Sequence, residues 1–181
     1  MIFDLVFNHA GGGFDDRSLW FYDRQPYGDD RRSLYFSGAE WAGGKVFDYS
    51  SPAVRQFLID NSHFWINEYH VDGIRYDEVT VIHEKGGDGF CRDLTGTIRY
   101  VNGRALQIAE YWGWDRAFPV TSTPGGLGFD AALADGVRIA LRTVLAEASA
   151  GADAHVSLNR LRDALYKPVA FPRCLVRRAT H

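Results

Sequence analysis

The stretch "VDGIRYDEV", residues 71–79, sets an arginine and an aspartate two positions apart in a segment that reads as a strand. Successive strand residues point to opposite faces, so Arg75 and Asp77 share one face and Ile74 and Tyr76 the other. A permanent guanidinium cation beside a carboxyl holds it ionised. Such an aspartate fits a nucleophile or a structural ion pair, and this stretch alone does not separate the two. A second carboxyl, Glu110, ends the short apolar run "ALQIA" at 105–109. If Asp77 and Glu110 approach to about 5–5.5 Å, one can attack a sugar carbon while the other gives and takes a proton. Tyr111, Trp112 and Trp114 follow Glu110, and rings over a carboxyl desolvate it and favour its acid form.

Other polar residues are ambiguous taken singly. His9, in "DLVFNHA", reads first as a hydrogen-bonded strand-end histidine. Asp4 interrupts an apolar strand and must be paired if buried, because an isolated buried carboxylate is very costly. Asn8 can offer one carbonyl to a hard cation, but one donor does not define a calcium site. His63, His70, His83 and His155 show no convergent spacing. The Asp15-Asp16 and Asp29-Asp30 runs read as turn and surface charge. The aromatics Trp20, Phe21, Tyr22, Tyr27, Tyr35, Phe36 and Trp41 can stack on sugar rings or form a small hydrophobic cluster under a long loop.

These residues need elements to position them. Ile2–Phe7 is apolar except for Asp4, as in a parallel strand buried on both faces. Residues 10–50 form one long aromatic-rich segment without sustained period. Ser51 and Pro52 open a helix running to about Tyr69. Val71–Tyr76 is the next strand, 88–99 a helix, Ala105–Ala109 a third strand, and Leu127–Phe129 a short one after "PGGLG". Leu133, Val137, Leu141, Val144 and Leu145 mark a helix, Ser157–Tyr166 another, and Cys174–Val176 can begin a last strand. Strands alternating with helices predict a parallel α/β fold, and the strand ends carry Asn8-His9, Asp77 and Glu110, where ligand chemistry collects. The chain has 181 residues, enough for a single domain spanning 1–181 with a real core. Its 20 Lys+Arg against 23 Asp+Glu give no footprint for nucleic acid or an anionic membrane. No apolar run reaches membrane-spanning length. Cys91 and Cys174 match no metal or redox spacing, which makes a reduced, cytoplasmic setting the default.

Together the segments resemble the α-amylase superfamily, glycoside hydrolase family 13, whose catalytic domain is a (β/α)8 TIM barrel. "DLVFNH" looks like the motif ending barrel strand three, with Asp4, Asn8 and His9 in the matching positions. "DGIRYDEV" looks like the strand-four motif and "QIAEYW" like that of strand five. Within the superfamily, "FDYSSPAVRQFLIDNSHFWINEYHVDGIRYDEVTVI" and "GGLGFDAAL" look most like 1,4-α-glucan branching enzymes. The resemblance implies Asp77 as nucleophile and Glu110 as general acid/base. It implies substrate contacts from His9, Arg75, Asp4, Tyr111 and Trp112, and an α-glucan substrate such as glycogen, amylose or a maltooligosaccharide. No cofactor is expected, and a calcium requirement stays open.

The same resemblance implies a partial barrel, roughly strands three to seven. The chain opens at strand three, and "FPRCLVRRATH" ends where a strand-seven His-Asp pair is due. Two alternatives stand beside the branching reading. One is an α-glucan hydrolase of the α-amylase or maltooligosyl-trehalose trehalohydrolase type. The other is an inactive glucan-binding fragment.

Overall fold

The computed structural model describes residues 1–10, 23, 33–151 and 154–166. Four parallel strands form the main sheet: β1 (Ile2–Leu5), β5 (Gly73–Tyr76), β6 (Leu106–Ala109) and β7 (Ala131–Ala132), in that spatial order. Helices cross between them. α1 (Pro52–Glu68) precedes β5, α2 (Val79–Glu84) and α3 (Asp88–Val101) lie between β5 and β6, and α4 (Asp135–Ala148) and α5 (Leu158–Tyr166) follow β7. The β1–β5 and β5–β6 connections run through helices, as the alternating pattern predicted, whereas β6 and β7 are joined through residues 110–130 with one short 3-10 turn at Phe118–Val120. The expected strand at Cys174–Val176 lies outside the described residues, as do Trp20, Phe21, Tyr22, Tyr27, Asp15, Asp16, Asp29 and Asp30.

Each strand has two different faces. Ile74 and Tyr76 of β5 are fully buried, as are Gln107 and Ala109 of β6. This face packs on the helices: the Tyr76 hydroxyl meets Ser62 of α1 at 3.2 Å, and Gln107 Nε2 donates to the Thr95 carbonyl of α3 at 3.1 Å. Phe3 of β1 does likewise, its ring 5.0 Å from Trp65. The opposite face carries Asp4, Arg75 and Ile108 in one register row. β1 is not buried on both faces as its composition suggests: Ile2 and Asp4 are exposed because β1 is the edge of the described sheet.

Three further differences have local causes. Residues 10–50 are not one irregular loop. They include β3 (Phe36–Trp41) and β4 (Gly44–Phe47), which form an antiparallel sheet with β2 (His9–Ala10). The hairpin turn places Ala42 and Gly43 at φ 48° and 83°, the left-handed geometry tight hairpins need. Helix α2 escapes sequence reading because six residues cannot display a 3.6-residue period. The strand after the glycine turn is Ala131–Ala132 rather than Leu127–Phe129. Gly128 sits at φ 82°, and Asp130 accepts from Gln107 N at 2.9 Å, so pairing with β6 begins only beyond it.

The other elements fall where the periodicity puts them. Ser51 caps α1 by accepting from Val54 N, with Pro52 in the first turn. Among the described residues no helix is long and apolar enough to cross a membrane. The start of β5 is tightly fitted. A Cβ on Gly73 would lie 2.4 Å from the Leu106 carbonyl oxygen and 2.8 Å from Leu106 Cβ. Gly73→Ala therefore has to push β5 from β6, and a loss of about 2 kcal/mol is expected from overpacking against backbone. Urea denaturation checks it; an unchanged midpoint would show that β5 and β6 are not so closely paired.

Candidate active site

The strand ends assemble the acids. β5 and β6 pair in register up to Tyr76 and Ala109, and Glu110 N donates to the Tyr76 carbonyl at 3.0 Å, so Asp77 and Glu110 are neighbours at one rung. Alternation places Asp77 with Arg75, and Glu110 with Ile108, on the face away from the helices. The Arg75 guanidinium joins the group. Its Nη1 lies 2.9 Å from Asp77 Oδ1 and 2.5 and 2.6 Å from the two Asp4 oxygens. Its Nη2 lies 2.7 Å from Glu110 Oε2. Asp77 and Glu110 thus touch two nitrogens of one guanidinium and face one another across it. Arg75 holds its own proton more tightly than usual; the three carboxylates outweigh the opposing effect of burial.

Asn8 and His9 complete the wall from the end of β1. Asn8 is fully buried and donates through Nδ2 to the Asp77 carbonyl at 2.9 Å and to Asp77 Oδ2 at 3.0 Å. Its Oδ1 is in contact with His9 Nδ1. Both ends of the amide are engaged, its carbonyl with His9 and its NH2 with Asp77. Among the described residues no group of three or more His, Cys, Asp or Glu could hold a metal ion. Burial lowers the proton affinity of His9, and the Asp77 charge only partly opposes it. Tyr49 fixes this strand end from behind, its hydroxyl donating toward the Phe7 and Asn8 carbonyls at 2.8 and 3.2 Å while its ring stacks on Phe90.

The aromatic run after Glu110 does not cover the carboxyl as its composition suggests. Tyr111 is 3 % exposed, and its ring packs against His83 and Phe118, which makes it a core residue with no face left for a sugar. Trp114 is fully exposed. Trp112 alone stays at the rim, its amide donating to Thr80 Oγ1 at 2.7 Å and Arg116 lying 5.5 Å over its ring. Glu110 is enclosed all the same, its side chain 14 % exposed against 60 % for Asp4. Of the described loop aromatics, Phe36 joins the core beside Phe47, Tyr35 packs partly buried against it and against the exposed Phe57, and Trp41 is exposed. His63 pairs with Asn67 and His83 with Asp88, away from the acids.

Sequence reading missed Glu78. This residue directly follows Asp77 and adopts a left-handed backbone, φ 41° and ψ 51°, which turns its N–H onto Glu110 Oε2 at 3.0 Å. The only signal was an extra charged residue at a strand end.

No family model matches the chain. It is 32 % identical over 141 residues to the 1,4-alpha-glucan branching enzyme GlgB of Leifsonia xyli subsp. xyli, and 33 % over 145 residues to that of Myxococcus xanthus. These alignments cover 64 and 67 % of this chain and 18 % of each relative. The chain spans about a fifth of the length of the curated relatives it matches. In structure it superposes on an alpha-amylase from Geobacillus thermoleovorans solved with acarbose, at TM-score 0.65 and 21 % identity, covering 94 % of this chain and 37 % of that one. An Anoxybacillus alpha-amylase gives 0.66, 22 %, 94 % and 36 %. The fold is therefore a partial (β/α)8 barrel of the α-amylase type. In sequence the chain resembles, within the α-amylase superfamily of glycosidases and transferases, the 1,4-α-glucan branching enzymes.

Removing the shared cation tests the cluster. Arg75→Met leaves three carboxyl groups facing one another, and at pH 7 a loss of about 2 kcal/mol is expected, reduced from buried-pair values because Asp4 is wet. The loss should be larger at low salt, where repulsion among the carboxyl groups is less screened. Denaturant titration at low and high salt checks it. Equal losses at both would mean that Arg75 acts by packing alone.

Proposed function

We propose that the site performs retaining double displacement on α-glucans, with 1,4-α-glucan branching as the reaction. The observation that supports it is the pair Asp77 and Glu110 held against one guanidinium at neighbouring strand ends. Asp77 attacks the anomeric carbon. Arg75 and the Asn8 amide bind its oxygens and keep the carboxylate aimed. Glu110, the more enclosed acid, gives its proton to the leaving glycosidic oxygen and then takes one from the acceptor hydroxyl. With a glucan 6-hydroxyl as acceptor the product is a branch; with water it is a shortened chain. The excess of carboxylate over cation at the strand ends suits an oxocarbenium-like transition state, which is positive.

His9 and Asp4 line the sugar site on the β1 side, and Trp112 does so at the β6 rim. The steps proposed here use donors and acids of the chain itself, and a calcium requirement stays open. The branching reading is favoured over hydrolysis by the sequence relatives, which are named as branching enzymes, whereas the α-amylases resemble the chain in fold. A cytoplasmic setting accompanies the proposal, in keeping with Cys91 as a free, buried thiol.

The test is amylose incubated with the polypeptide carrying this chain, followed by iodine stain and reducing-end assay together. Branching lowers the stain with few new reducing ends; hydrolysis lowers it with many. Asp77→Asn is expected to cut turnover by at least about 10³-fold, the scale of losing a catalytic nucleophile. Turnover indifferent to Asp77→Asn would overturn the assignment.

A further inference from the structure

Glu78 lies between the two acids in sequence and beside both in space. Its left-handed backbone is unusual for a residue with a Cβ, and such conformations persist where the surroundings impose them. Here the turn does one identifiable thing. It directs the Glu78 N–H to Glu110 Oε2 at 3.0 Å, while the next amide, Val79 N, donates to the Glu110 carbonyl at 2.8 Å. One turn thus grips Glu110 at both its side chain and its main chain.

The Glu78 carboxyl has a separate role. It opens α2 but makes no helix-capping bond. Instead it lies beside the charges of Glu110, Asp77 and Arg75. We propose that Glu78 is a positioning residue for Glu110, holding it through the left-handed N–H and the amide that follows, with its own carboxyl set beside the Glu110 and Asp77 charges. The catalytic meaning rests on the reading of Glu110 as acid/base; the geometry does not. Burial, then Glu110, then Asp77 raise the proton affinity of Glu78, with Trp112 and Arg75 acting in the opposite direction.

Two measurements test this without turnover, so they stand apart from any failure of the glucan reading. In protein labelled with 13C at glutamate carboxyls, the Glu78 signal is identified by its loss in Glu78→Gln. Its midpoint should lie above those of exposed glutamates and fall toward them in Glu110→Gln, and less in Asp77→Asn. A midpoint unmoved by Glu110→Gln would overturn the electrostatic tie. The sign for stability follows from a folded-state affinity above the unfolded one. Protonated Glu78 suits the fold and ionised Glu78 does not, so Glu78→Gln should raise the melting temperature at pH 7, and the gain should vanish below about pH 4. Burial alone would give this stability effect as well, so the tie to Glu110 is read from the midpoint shift in Glu110→Gln.

The backbone role is read by amide exchange at position 78. Exchange should be slow in the native chain and in Glu78→Gly, which keeps the turn, and faster in Glu110→Ala. Equal exchange with and without the Glu110 carboxylate would overturn the positioning role.

Discussion

The Arg75 guanidinium is the interaction around which this site is arranged. Three carboxyl groups from three strands converge on it, and without a cation they would repel one another at the barrel mouth. The contacts are not equivalent. Asp4 is mostly in water, and its two short bonds to Arg75 compete with hydration, so they contribute little. Glu110 and Asp77 are more enclosed, and there the same charge pairing acts in a lower dielectric and matters more. Arginine rather than lysine is required, because only a planar fork presents separate nitrogens to Asp77 and Glu110 at once.

That fork can reach both acids only if the strands deliver them at one level. The delivery depends on the buried face that makes no chemistry. Ile74, Tyr76, Gln107 and Ala109 lock β5 and β6 in register against α1 and α3. A slip of one residue would turn Arg75 and Asp77 toward the helices and bury unpaired charge. The hydrophobic core and the acid pair are therefore one constraint seen from two sides of the same strands.

This coupling explains which features are legible in the sequence. A period of two is strict, so residue order alone puts Arg75 and Asp77 on one face and matches Glu110 to them at the next strand end. Tyr49, Asn8 and Glu78 are less legible because their roles depend on tertiary contacts. The Tyr49 hydroxyl meets carbonyls 41 and 42 residues away, and Asn8 uses both ends of its amide on neighbours. The hairpin within 10–50 is hidden for another reason. Its strands pair across a bulge and vary in burial along β3, which erases alternation.

Aromatic content misleads for a physical reason. A ring next to an acid in sequence is adjacent to it in space only if the backbone continues on the same face, and after Glu110 it does not. Tyr111 turns into the core and Trp114 out to solvent, leaving Trp112 half-buried with Arg116 over its ring. A cation over an indole face is worth about 0.5–2 kcal/mol, enough to favour one ring orientation over the others. A ring already oriented has fewer rotamers to lose when a ligand arrives, so it presents a fixed surface at low entropic cost. Of that run, the ring kept at the site is thus placed by a charged neighbour, and by the Trp112 amide bonded to Thr80, rather than by hydrophobicity.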